Sequence, residues 1–170
     1  MLTSVLLSGM LYADGLSSGE NFIGGEVGSM TVQGDTATRM DYENDGAEWG
    51  IRLGSQTTEW RTTFALNYYD EGIQNVEKIV LSIDYYLLSQ QNQSYFKPYL
   101  GVNLGYGNYE SPGVDESGFL YGGQAGFVVE VTEQIDVDLS YKYSLSAADK
   151  FDHTGSIMLG VNYFFNKSCD

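Results

Sequence analysis

The feature that most constrains this chain is an alternation that puts charge on one side only. Between residues 135 and 145, Ile135, Val137, Leu139, Tyr141, Tyr143 and Leu145 alternate with Asp136, Asp138, Ser140, Lys142 and Ser144. Successive side chains of a strand point to opposite faces, so this segment has one apolar face and one ionic face. A sheet of such strands must keep its apolar face from water, and its ions need partners or water on the other side.

The pattern recurs eight times. In residues 21–31, Ile23, Val27 and Thr31 face one way, and Glu26 faces the other with Gly24 and Gly28. A polar segment, residues 33–48, separates this from a second run in which Trp49, Ile51 and Leu53 alternate with Arg52. A third run sets Trp60, Phe64, Leu66 and Tyr68 against Arg61, and a fourth sets Ile79, Leu81, Ile83 and Tyr85 against Lys78 and Asp84. The fifth carries Phe96, Leu100, Val102, Leu104 and Tyr106 opposite Lys97, with Pro98 tolerable only near a strand start or at an unpaired position. The sixth carries Phe119, Tyr121, Phe127 and Val129 opposite Glu130; the seventh is the segment above. The last, residues 156–165, has Ile157, Leu159, Val161, Tyr163 and Phe165 on its apolar face.

Eight strands joined by alternating long and short connections predict an all-β fold, an eight-stranded antiparallel up-and-down barrel. Long loops are expected at residues 33–48, 110–118 and 146–153, and short turns at 56–59, 90–94 and 132–134. On the apolar face, Trp60, Tyr85, Phe96, Tyr163 and Phe165 fall near the short-turn end. Trp49, Tyr68, Tyr106, Phe119, Tyr121 and Tyr143 fall near the other. Two aromatic bands match the interfacial girdles of a transmembrane β-barrel. The opposite face collects Glu26, Arg52, Arg61, Lys78, Asp84, Lys97, Glu130, Asp136, Asp138 and Lys142, a balanced interior network in which Glu26 is expected to pair with Arg52 or to share a network with Lys142 and Asp84. A soluble lipocalin-like barrel is the alternative, with the apolar face lining a ligand cavity.

Composition narrows the classes. No apolar run reaches the ~20 residues of a spanning helix. The formal charge of −15 argues against nucleic acid as a partner. The single cysteine, Cys169, cannot form an intramolecular disulfide. Residues 1–13 read as the apolar core of a secretory signal peptide, residues 20–165 as the barrel, and residues 166–170 as a short tail.

The chain resembles the small outer-membrane barrels of the OmpA-like and opacity types. The likeness lies in residues 22–28, in Lys97-Pro98-Tyr99-Leu100-Gly101, in residues 118–126 and 131–143, and in the closing strand. Gly160, Tyr163 and Phe165 resemble the C-terminal insertion signal of these proteins. The resemblance implies outer-membrane lipid and lipopolysaccharide as surroundings, the barrel-assembly machinery as a partner during insertion, and a structural or adhesin-like role with a host or cell-surface ligand bound through the loops. It implies no cofactor.

Candidate chemistry is sparse. Asp41, Glu43 and Asp45 with Gly46 have the opening spacing of a calcium loop, but the twelfth position is Arg52 where a bidentate acid belongs, so the metal reading is weak. His153 is the only histidine. Some eight-stranded barrels are lipid A deacylases that share a His-x-Ser pattern; here Ser156 lies three residues on, and His153 reads as a solvated loop residue. No catalytic residue is assigned. An eight-stranded interior is filled by side chains, so a gated channel of small conductance is the remaining transport reading.

Overall fold

The computed structural model describes residues 19–35, 41–71, 74–88, 95–111, 114–147 and 151–165. The expected signal segment, the tail and Cys169 lie outside them. The described chain forms eight strands: β1 (Glu20–Asp35), β2 (Asp41–Gln56), β3 (Trp60–Glu71), β4 (Gln74–Tyr86), β5 (Phe96–Ser111), β6 (Val114–Thr132), β7 (Ile135–Ser146) and β8 (Phe151–Phe164). Each pairs antiparallel with the next, and β1 pairs with β8 from Phe22↔Phe164 upward, closing the barrel. Closure leaves no unpaired sheet edge, so the backbone satisfies its own hydrogen bonds.

The faces follow the alternation. On β5, Phe96, Leu100, Val102, Leu104 and Tyr106 are exposed, whereas Lys97, Tyr99 and Asn103 are buried. The apolar face is the outer one, which excludes a lipocalin-like arrangement with an apolar lining. Pro98 is the third residue of β5; its carbonyl accepts from the Leu87 amide at 2.9 Å.

The connections differ from the sequence expectation. β1 and β2 stay paired out to Asp35↔Asp41, so most of residues 33–48 is ladder rather than loop. β5 and β6 stay paired to Ser111↔Val114, and β3 and β4 to Glu71↔Gln74. The physical reason is that backbone pairing does not require apolar side chains. The hydrophobic alternation stops where lipid-like surroundings stop, while the hydrogen-bond ladder continues into polar sequence. The short turn expected at residues 90–94 lies outside the described residues.

Inside, the side chains form three layers. Met30, Tyr69, Val76, Tyr109 and Leu120 cluster at the end away from the termini. Tyr86, Tyr99 and Val128 cluster at the terminus end, where Phe22 and Phe164 also stack with ring centroids 5.4 Å apart. The ions lie between.

Candidate functional site

The interior ions form a connected network centred on Asp138. Its Oδ2 accepts from Arg52 Nη1 at 3.0 Å and from Arg61 Nη1 at 2.8 Å, and its Oδ1 accepts from the Tyr99 hydroxyl at 2.9 Å. Arg61 continues to Asp84, donating from Nε at 2.9 Å, and its guanidinium lies 4.3 Å from the Tyr99 ring centre. Gln124 holds the other Asp84 oxygen at 2.5 Å.

On the other side Arg52 reaches Glu26 at 3.3 Å and donates from Nε to Asn162 at 2.7 Å. Glu26 also accepts from Lys142 at 2.7 and 2.9 Å and from Asn67 at 2.6 Å. Glu26, Arg52, Lys142 and Asp84, named from sequence, therefore sit in one chain of contacts joined through Arg61 and Asp138. Charges buried this deeply are tolerable only when mutually paired and hydrogen-bonded.

Two pairs stand apart. Lys97 binds Glu130 at 2.5 Å towards the terminus end, and Lys78 binds Glu48 at 3.0 Å towards the other. Asp136 is fully buried, in register with Glu130 and Asn162. Glu48 corrects the sequence reading, which places it in a solvated loop. Trp49 is the first apolar residue of its run, so the inward residue just before it has no alternation to mark it. The polar partners Asn67, Gln124 and Asn162 were equally unmarked, since uncharged side chains on the inner face carry no signal of which ion they meet.

Glycine makes room for these ions in a narrow lumen. A Cβ at Gly160 would lie 2.2 Å from Arg52 Nη2, and one at Gly101 would lie 2.0 Å from Asp84 Oδ1. Gly160 of the terminal pattern thus has an interior role, while Tyr163 and Phe165, ring centroids 5.6 Å apart, are exposed on the outer face.

The outer face is apolar, and its aromatic residues gather in two belts. At the terminus end Trp60 packs on Tyr85 with ring centroids 4.8 Å apart, and Phe96 packs on Phe127 at 5.0 Å. At the other end Trp49 meets Tyr68 at 5.7 Å and Tyr106 meets Phe119 at 6.4 Å, with Tyr121 and Tyr143 exposed nearby in sequence register. An apolar band between aromatic belts, wrapped around an ionic interior, suits a bilayer and not water.

Neither candidate of catalytic or metal type is assembled as its motif would need. His153 lies on β8, not in a loop, and stacks on Tyr143 on the outer face with ring centroids 5.3 Å apart. Ser156 points inward and donates to Glu48 at 2.7 Å. An odd separation along a strand puts the two on opposite sides of the wall, so they cannot act as a nucleophile and base pair. Residues 41–46 belong to β2, and their extended backbone does not wrap an ion as a calcium loop does. The side chains of Asp41 and Glu43 lie outside the described set; Asp45 accepts from the Thr31 hydroxyl at 2.5 Å. Among the described residues no group of three His, Cys, Asp or Glu side chains is placed to hold a metal.

Comparisons agree with this geometry. The structure is similar to that of Neisserial surface protein A (NspA), with 19% identity, a TM-score of 0.63, and coverage of 85% of this chain and 97% of the other. It is similar to Ail, the attachment invasion locus protein of Yersinia pestis, with 18% identity, a TM-score of 0.51 and coverage of 86% and 99%. It is also similar to the outer membrane enzyme PagL, with 13% identity, a TM-score of 0.52 and coverage of 84% and 98%. No curated protein matches the chain. The family model described as "Outer membrane protein beta-barrel domain" matches residues 2–165. The chain therefore belongs to the outer-membrane protein β-barrel family, and its place is the bacterial outer membrane.

Proposed function

We propose that this protein is a non-enzymatic surface barrel that supports the envelope and makes contacts outside the cell through its extended acidic hairpins. One observation carries the reading: the interior cations are each engaged by an interior carboxylate, between two apolar layers. The lumen is spent on its own stability, which leaves the outer hairpins as the exposed chemistry. There β1 and β2 continue past Trp49 to Asp35 and Asp41, and Asp45, Glu77 and Glu110 are exposed. Such a surface favours a basic partner or one bridged by divalent cations, which prefer carboxylate oxygens. The similarity to Ail, whose name denotes attachment, supports an adhesive role. Insertion proceeds through the barrel-assembly machinery, with Tyr163 and Phe165 as the presented signal.

The test shortens the β1–β2 hairpin. Gln33 and Glu43 are register partners, so replacing residues 34–42 by Asn-Gly closes the ladder with a two-residue turn. Cells displaying this variant should adhere less to host-cell monolayers, while the heat-dependent gel mobility of the barrel stays unchanged. Unchanged adhesion would overturn the assignment to this arm.

A further inference from the structure

We propose that Glu26, Asn67 and Lys142 form a self-reacting triad that joins Lys142 to Asn67 by an amide bond across the lumen. Glu26 holds both partners on one oxygen. Its Oε1 accepts from Lys142 Nζ at 2.7 Å and from Asn67 Nδ2 at 2.6 Å, while its Oε2 accepts from Lys142 at 2.9 Å. An amine and a carboxamide are thereby held side by side, with a carboxylate between them that can move protons from one to the other.

The strands build this arrangement from three directions. Glu26 of β1, Gly50 of β2 and Asn67 of β3 lie in one register row. Gly50 has no side chain to block the row, and the Asn67 carboxamide lies over it: a Cβ at Gly50 would be 2.7 Å from Asn67 Nδ2 and 3.0 Å from its Cγ. Lys142 reaches in from β7, where its register partner on β8 is the small Ser156. Lys78 is the register neighbour of Asn67 on β4, but its ammonium is turned to Glu48 and the Met30 sulfur. The triad lies between the two apolar layers of the interior, so the amine meets the carbonyl with little water to compete.

The chemistry balances within the chain. Glu26, kept ionised by Arg52 at 3.3 Å, takes a proton from the Lys142 ammonium. The neutral Nζ attacks Asn67 Cγ, forming the Nζ–Cγ bond and placing charge on Oδ1. Glu26 hands its proton to Nδ2, the Cγ–Nδ2 bond breaks and ammonia leaves. The second proton lost from Nζ passes through Glu26 to the ammonia, which departs as ammonium. Neither an oxidant nor a further reactant is consumed, and Glu26 ends ionised and still paired with Arg52. This is one self-modification per chain, not a turnover. The cost of taking a proton from a paired ammonium lengthens the reaction without forbidding it, because the groups stay in contact for the life of the barrel.

The test is peptide mapping by tandem mass spectrometry of the full chain purified from membranes as a folded barrel. The peptides carrying Asn67 and Lys142 should be recovered joined, lighter than their sum by one ammonia, with trypsin failing at Lys142. After boiling, the joined chain should run ahead of Lys142→Arg on a denaturing gel, because part of it remains closed in a loop. Lys142→Arg keeps the cation but cannot form the amide, and Glu26→Gln keeps the shape but removes the base; both should give separate peptides of full mass. Asn67→Ser, which removes the carbonyl under attack, supplies the unlinked reference if those two fail to fold. Separate peptides of full mass from the folded wild-type chain would overturn the proposal, as would a link at Lys142 that persists in Asn67→Ser or Glu26→Gln.

Discussion

The two faces of one wall solve opposite problems with the same strands. Outward, Val102 is 62% exposed in the middle of the apolar band, and nothing of the protein is asked to satisfy it. Inward, a few ångströms away, Asp138 is 1% exposed and is held by two guanidinium groups and a phenol. The outer face is specified one residue at a time by solvent preference and tolerates exchange among apolar side chains. The inner face is specified by sets, because a buried ion is tolerable only with its particular partners.

That contrast predicts an order of effects. Asp138→Ala leaves Arg52 and Arg61 without their shared carboxylate and should cost about 3–5 kcal/mol in reversible urea unfolding from lipid vesicles. A wild-type midpoint would show that the network is not cooperative. Val102→Arg attacks the other face at mid-band and should cost about 2–4 kcal/mol in the same assay, an effect that Val102→Leu should not reproduce. If Val102→Arg proved harmless, the outer face would not be meeting lipid at that depth.

Trp60→Ala removes one member of a belt pair and should cost about 1 kcal/mol. Lys97→Met should cost still less, roughly 0–1 kcal/mol, because its partner Glu130 is 22% exposed and can be hydrated once the cation is gone. A loss as large as that of Asp138→Ala would place Lys97 in the central network, contrary to its separate contact.

Much of this was legible beforehand. Ile157, Leu159, Val161, Tyr163 and Phe165 were assigned to the outer face from alternation alone, and all are exposed in the structure. Trp49, Trp60, Tyr85, Phe96, Tyr106, Phe119, Tyr121 and Tyr143 were placed outward by the same alternation and are exposed, and Phe127, which packs on Phe96, was read only as outward-facing. Glu48 and His153 were misread for one reason. Both sit where apolar alternation ends, and the ladder outlasts that signal. Phe164 is buried inside the barrel, and its stacking on Phe22 requires β8 to meet β1.

The sequence by itself determined the number of strands, their alternating faces and the solvent each face meets, since these depend on a period of two and on transfer from water, both local properties. Only the tertiary structure decided which ion meets which. Arg52 and Asp138 are 86 residues apart, and their contact depends on closure and on the register of every intervening strand.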